Sequence, residues 1–295
     1  MSLLPVVVNP AARGGRGRVP RERIERAAGG RGLRVEWWET AGPGHASELA
    51  ARAARDRHAM LAVWGGDGTY NEAARGLVGS ETALVALPGG TTSVLAYELG
   101  IARHPERALL GQLDGERRAM AVARTDHGQL FLLMLSVGPD AVILAKLPQL
   151  LKDRAGKLGV SWQACVEFVR GGFPRFSVEA NGVQCEASWC IVGKSRSYAG
   201  PYAATPAADP FAPDLDVVAL TRPGRAALLP FFFLIPSGGH LRMRGVQRTC
   251  TREVRLEGDG VPYQLDGDPA GTLPVSVHSS GDRLWVLVPR PSGRA

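Results

Sequence analysis

The sequence predicts an α/β domain built on a parallel sheet, followed by a second, mainly β domain that forms a sandwich. Three observations predict it. Strand and helix signals alternate up to about residue 115, the early strands are apolar at nearly every position, and beyond residue 119 strand signals crowd together. A strand that is apolar on both faces must be covered on both, which is the condition of a parallel sheet flanked by helices. The expected division is 1–118 and 119–295.

The elements follow in order. Leu4–Val8 is a Val-rich strand that ends at Asn9-Pro10, before a loop rich in Gly and Arg up to Arg18. Arg21–Ala28 reads as a polar helix and Leu33–Glu39 as an alternating strand. His45–Arg57 places Ala46, Leu49, Ala50 and Ala53 on one stripe, the spacing of an amphipathic helix. Met60–Trp64 and Ala83–Leu87 are buried strands, ending at Gly65-Gly66 and Pro88-Gly89-Gly90, with helices over Tyr70–Leu77 and Thr92–Leu99. In the second half, strands are expected over Ala119–Thr125, Gln129–Val137, Phe176–Ala180, Ala187–Val192, Val217–Leu220, Thr251–Leu256, Tyr263–Leu265, Val275–His278 and Leu284–Val288. Asn181-Gly182 is a hairpin signal, and Val160–Val169 is the one long helix expected there.

Composition narrows the classes. The chain has 295 residues, 45% of them hydrophobic, a size that buries a substantial core. The net charge of +7 favours anionic partners, but only four of the 35 basic residues are Lys and the arginines are scattered. No aromatic–basic stacking motif accompanies them, so nucleic acid is not an expected partner. No stretch reaches the roughly 18 apolar residues of a membrane span. The first residues lack the basic start of a secretory signal, and Cys165, Cys185, Cys190 and Cys250 form no Cys-x-x-Cys pair. The expectation is a reduced, cytoplasmic protein, with peripheral contact at the inner face of a membrane as a further option.

The most informative stretch is Gly65-Gly66-Asp67-Gly68-Thr69, set between a buried strand and a helix start. Glycines there let backbone N–H groups approach a ligand, and the helix N-terminus favours phosphate oxygens. Asp67 would repel phosphate unless a cation lies between them. The plain alternative is a tight turn capped by Asp67 or Thr69. A second loop, Pro88-Gly89-Gly90-Thr91-Thr92-Ser93, has the same setting, and Asn9-Pro10 ends a third strand. In an open parallel sheet such strand ends converge on one crevice. The Walker pattern of a P-loop is absent.

These residues resemble the diacylglycerol kinase catalytic family, which includes bacterial soluble lipid kinases and sphingosine kinases. Asn9-Pro10, Gly65-Gly66-Asp67-Gly68-Thr69-x-x-Glu72 and Pro88-Gly89-Gly90-Thr91 carry the resemblance, with Gly138-Pro139-Asp140-Ala141, Lys152–Gly159 and Gln264-Leu265-Asp266-Gly267-Asp268 further on. Gly-Gly-Asp-Gly-Thr is shared with NAD kinases and phosphofructokinases, and its pairing with the late Asp-Gly-Asp makes the resemblance specific. It implies a Rossmann-like nucleotide domain, NAD kinase- or phosphofructokinase-like, and a β-sandwich lipid domain. It implies ATP and Mg²⁺ as cofactors, a lipid substrate at a membrane surface, and a homodimer as an open assembly. Asn9, Thr40, Gly65, Gly66, Asp67, Gly68, Thr69, Asn71, Glu72, Gly90 and Thr91 would bind the nucleotide, with Asp67 acting through Mg²⁺. Asp266 and Asp268 would supply the base for the lipid hydroxyl, and Asp-Gly is also a plain hairpin signal.

The chain departs from the family at several positions. Ser93 and Val94 stand where Asn and often a carboxylate occur, and Lys194 replaces an Asn. Ala212 replaces the leading Asp of a segment associated with a structural Mg²⁺, leaving Asp209, Asp214 or backbone carbonyls for any metal. Asp268 stands for Glu, which moves a base by about 1.5 Å. Two other readings therefore stay open, a kinase of a soluble acceptor such as NAD, and a weakly active or inactive nucleotide- and lipid-binding protein. Leu228–Pro236, with three phenylalanines, is read as core, with a lipid groove or membrane contact as the alternative. Lys146, Lys152, Arg154 and Lys157 form either a solvated face or a headgroup contact.

Overall fold

The computed structural model describes residues 2–10, 19–90, 93–146, 174–198 and 200–290. The helix expected over Val160–Val169, the basic residues Lys152, Arg154 and Lys157, Thr91, and Cys165 lie outside them. The chain forms two compact units, Met1–Ala121 with Gly281–Ala295, and Val122–Ser280. The sequence expectation carried the second domain through to residue 295, whereas the residues from Gly281 onward group with the first unit.

The first unit is a parallel sheet. Its strands are β1 (Ser2–Val8), β2 (Leu33–Glu39), β3 (Met60–Gly65), β4 (Ala83–Pro88) and the last part of β18 (Val275–Val288), in the order β2-β1-β3-β4-β18. Every pairing among them is parallel. Val6, Val7, Leu61, Ala62, Val63 and Val85 are fully buried, as strands covered on both faces require. The helices are α1 (Arg21–Gly29), α2 (His45–Arg55), α3 (Asp67–Leu77), α4 (Val94–Glu98) and α5 (Pro105–Leu113). The α5 helix, begun by Pro105, is absent from the sequence expectation.

β4 meets β18 at a single register pair, Leu84 with Val286. On that side Ala86 would be left without a partner, and Gln112 of α5 supplies one. Its Nε2 donates to the Ala86 carbonyl at 2.8 Å, and its Oε1 accepts from the Ala86 N–H at 2.9 Å. The buried side-chain amide thus stands in for a missing peptide group.

The second unit is an antiparallel sandwich. One sheet has the order β14-β13-β10-β7-β16-β17, from β7 (Met134–Val137), β10 (Trp189–Gly193), β13 (Leu215–Leu220), β14 (Val246–Thr251), β16 (Pro262–Leu265) and β17 (Asp268–Thr272). The other pairs the first part of β18 with β15 (Glu253–Glu257), β8 (Phe176–Ala180) and β9 (Val183–Ala187). Two short pairings complete the strands, β5 (Glu116–Thr125) with β6 (Leu130–Phe131), and β11 (Ser197–Tyr198) with β12 (Tyr202–Ala203). Asn181 and Gly182 both take positive φ at the β8–β9 turn, as the Asn-Gly signal predicts. Alternate residues, including Leu135, Val137, Val192, Val217, Val254 and Val277, fill the space between the sheets.

The outer face of the first of these sheets is buried too. Trp189, Ile191, Val218 and Leu220 are covered by α7 (Arg225–Leu234), through Leu228 and Phe231, with Ile235 just beyond it. Leu228–Pro236 is therefore part core, as expected, and its core residues lie on a helix.

Gly76 fixes how closely α2 and α3 approach. A Cβ there would fall 2.3 Å from the Ser47 carbonyl oxygen and 2.8 Å from the Ala50 Cβ. Gly76→Val should lower stability by about 2 kcal/mol or more, read as the midpoint shift in urea, because both helices must part.

Candidate functional site

The order β2-β1-β3-β4 reverses between β1 and β3, and ligands of open parallel sheets bind outside the carboxyl ends of strands at such a switch point. The sequence-predicted nucleotide residues gather there. Asn9 follows β1, and its Nδ2 donates to Thr69 Oγ1 at 3.0 Å, bridging the strand end to the first turn of α3. Thr40 follows β2, and its N–H donates to the Val8 carbonyl at 2.9 Å.

Two glycine loops touch backbone to backbone. The N–H groups of Gly89 and Gly90 donate to the Gly65 carbonyl at 2.8 and 3.0 Å. A Cβ on Gly90 would lie 2.8 Å from Gly66 Cα, and one on Gly65 would lie 2.7 Å from Thr69. No side chain fits at either place, which is the physical reason for glycine. The first-turn N–H groups of α3 have no acceptor within the helix and carry its positive dipole end.

Asp67 ties the loops together. Its Oδ2 accepts from Val94 N–H at 2.9 Å and its Oδ1 from Leu95 N–H at 3.0 Å. The carboxylate at the start of α3 thus meets the first free donors of α4. Burial, and then the charge of Asp67, push the Tyr70 phenol far up, so it stays protonated. Asn71 is buried with its Oδ1 accepting from Arg75, Glu72 is half-buried, and Gly68 is exposed.

In the second unit, Asp266 and Gly267 both take positive φ at the β16–β17 turn. Asp266 Oδ1 accepts from Leu133 and Met134 N–H, each at 2.9 Å, and Oδ2 from Leu132 N–H at 2.8 Å. Three backbone donors fix this carboxylate to the backbone of residues 132–134. Asp266, expected as part of the catalytic pair, is placed where its carboxylate ties the hairpin to the backbone ahead of β7. Asp268, two residues on, is exposed at the start of β17.

A buried polar network lies behind this hairpin, and the sequence reading missed its role. Asp140 is on α6 (Pro139–Lys146) and accepts from Ser136 Oγ and Tyr198 OH, each at 3.0 Å, and from Gln264 Nε2 at 3.3 Å. Gln264 Oε1 in turn accepts from Gly267 N–H at 2.7 Å. Burial raises the Asp140 carboxyl above its ordinary range, against the lowering effect of these donors. Asp140 stands in the Gly138–Ala141 segment already singled out, and a carboxylate amid apolar residues was the available signal.

Asp209 and Asp214 do not fit a metal. Lys194 is fully buried, and its Nζ donates to the carbonyls of Asp209 at 2.8 Å, Asp214 at 3.4 Å, and Ala212. The oxygens that a cation would need already surround an ammonium. The side chains are used as well, Asp209 Oδ1 accepting from Phe211 N–H and Asp214 Oδ1 from Arg252. Burial pushes Lys194 down to about 8, opposed by the charges of Asp209 and Asp214. The metal expectation at Asp209 and Asp214 is corrected accordingly. Among the described residues no three metal-ligating side chains cluster, and no helix is long and apolar enough to cross a membrane.

Comparison with known proteins agrees with this geometry. The model of the diacylglycerol kinase catalytic domain matches residues 4–125, and that of the YegS C-terminal NAD kinase beta sandwich-like domain matches residues 133–288. Such a pair of domains defines a kinase, a phosphotransferase. The chain belongs to the diacylglycerol kinase family. A diacylglycerol kinase of Mycobacterium tuberculosis is 27% identical over 250 residues, covering 82% of this chain and 80% of that one. Lipid kinase YegS of Escherichia coli K12 is 29% identical over 130 residues, 43% of this chain and 42% of its own. A crystal structure described as a diacylglycerol kinase from Bacillus anthracis superposes with TM-score 0.72 at 17% identity, over 97% of this chain and 96% of that one, a likeness of fold.

Two outcomes are expected. Lys194→Met strips three carbonyls of their shared donor and should cost on the order of 2 kcal/mol, read in urea. Because the folded-state pKa of Asp140 is raised, its contribution to stability is full at low pH and is lost as pH rises through that pKa. The melting temperature of Asp140→Asn relative to the parent should therefore climb as pH rises from the ordinary Asp range.

Proposed function

We propose that this protein transfers the γ-phosphoryl group of ATP to a hydroxyl of a diacylglycerol-like or sphingoid lipid. The glycine crevice of the first unit carries the reading. Gly65, Gly66, Gly89 and Gly90 keep side chains away from the strand ends, and the start of α3 offers N–H donors suited to phosphate oxygens. Asn9, Thr40 and Thr69 add polar groups at the same strand ends, and Thr91 would add a hydroxyl.

Asp67 fits a magnesium ion that arrives with the nucleotide. Such an ion needs only one or two protein carboxylates beside the phosphates. Asp67 stands at the start of α3 beside the glycine loops, oriented by two N–H donors. The ion, when bound, neutralises charge on the transferring group. The chain's own residues do the remainder. Backbone donors align the triphosphate, and Asp268 accepts the proton of the lipid hydroxyl as its oxygen bonds to phosphorus and ADP departs. Asp266 holds the hairpin that presents Asp268.

The test is transfer of labelled phosphate from ATP to a panel of diacylglycerols, sphingoid bases and NAD. Asp268→Asn should lower lipid turnover by about 10²- to 10⁴-fold while leaving the ATP-induced rise in melting temperature intact. Asp67→Ala should lose that rise. Transfer to NAD alone, or to nothing, overturns the lipid reading.

A further inference from the structure

The α7 helix has two apolar faces where a surface helix has one. Leu228, Phe231 and Ile235 turn inward against Trp189 and its neighbours. Leu229, Phe232 and Phe233, at the complementary spacing, turn outward with Leu234. They are 39, 47, 71 and 36% exposed. These are four of the seven exposed large hydrophobic side chains among the described residues, all on a helix about 15 Å long. The inner face covers the sheet, and the Phe232 ring also stacks on that of Trp189 with 6.3 Å between centroids, so Phe233, edge-on to Phe232, is the outermost ring of the stripe.

The surrounding charge says what the patch meets. From Thr221 to Cys250 the sequence has no Asp or Glu. Arg222, Arg242 and Arg244 are exposed on the segments just before and after the helix. An apolar stripe attended by arginines, with no acidic residue in its stretch of chain, matches an anionic lipid surface. The rings enter the acyl boundary and the guanidinium groups meet phosphates. A second copy of the chain would bring arginines against arginines. The patch of four side chains also falls well short of the roughly 20–30 residues a side of a stable protein interface.

We propose that the outer face of α7 docks the second unit on an anionic phospholipid bilayer, with Phe232 and Phe233 inserted and Arg222, Arg242 and Arg244 on the headgroups. This surface deepens the lipid-kinase reading, because an enzyme docked there meets acceptors held in a bilayer. Its binding requires neither nucleotide nor acceptor.

The experiment is co-sedimentation with vesicles of phosphatidylcholine alone and of phosphatidylcholine with phosphatidylglycerol, without ATP or acceptor. The parent protein should bind the anionic vesicles preferentially and be released by salt. Phe232→Ser with Phe233→Ser should weaken binding by about ten-fold or more, and each Arg→Gln change by roughly five-fold. Phe233→Ser alone, the most exposed position, should weaken binding without moving the melting temperature, so a folding defect in the double variant leaves the test intact. Equal binding to neutral vesicles, undiminished binding by Phe233→Ser, or a dimer that this variant converts to monomer would each overturn the proposal. Phosphorylation of a short-chain, monomeric diacylglycerol should persist in Phe233→Ser. If vesicle binding follows the prediction while no lipid is phosphorylated, the docking surface stands and the kinase reading falls.

Discussion

Backbone N–H groups turned away from any ladder must still be met, and this protein meets them with carboxylates. Asp67 takes the first free donors of α4, and Asp266 takes three successive donors between Phe131 and Leu135. Hydrogen bonds to a charged acceptor are worth about 1.5–3 kcal/mol each, more than neutral ones. The two Asp-Gly motifs therefore share a physical task. Each pins one loop to a distant stretch of chain, 27 or more residues away in sequence. In the glycine crevice the pinned loops are those that would cradle phosphate. In the hairpin the pinned turn displays Asp268.

The crevice was legible because paired glycines recur at the ends of two buried strands, where any side chain would block the approach of a second backbone or a ligand. Strands β1, β3 and β4 were legible for the same kind of reason, since five or six apolar residues bounded by turn residues fit little else. Elsewhere, long-range bonds decide. Gln129–Val137 reads as one strand, but the structure has β6 and β7, because Asp266 draws the intervening N–H groups out of the ladder. Nothing near Leu132 announces a carboxylate more than 130 positions later. Leu228–Pro236 reads as uninterrupted apolar sequence, which has no period to separate helix from strand. Its two faces become visible only against Trp189 on one side.

Charge was misread where the partner was part of the chain. The resemblance to a segment associated with a structural Mg²⁺ pointed to Asp209 and Asp214 for a metal, yet the cation their carbonyls meet is Lys194, from the end of another strand. The ammonium supplies three donors on a flexible stem, so one side chain satisfies a loop that would otherwise turn its oxygens inward unpaired. Gln112 does the converse for β4, giving both a donor and an acceptor where the neighbouring strand stops short.

The strand β18 gives the first unit an order of assembly in time. Val286 pairs with Leu84, Gly79 N–H donates to the Arg283 carbonyl, and the Arg117 guanidinium lies 4.0 Å over the Trp285 ring. These partners are separated by more than 160 residues, and the whole sandwich unit is inserted between them. During synthesis, β1 to β4 emerge early but lack their last neighbour until the ribosome has passed Val288. The sandwich, contained in Val122–Ser280, has all of its residues sooner. The unit translated first is thus the one completed last, and for that interval the edge of β4 at Leu84, beyond the reach of Gln112, waits for its partner strand, an open apolar edge of the kind that recruits chaperones or misassembles.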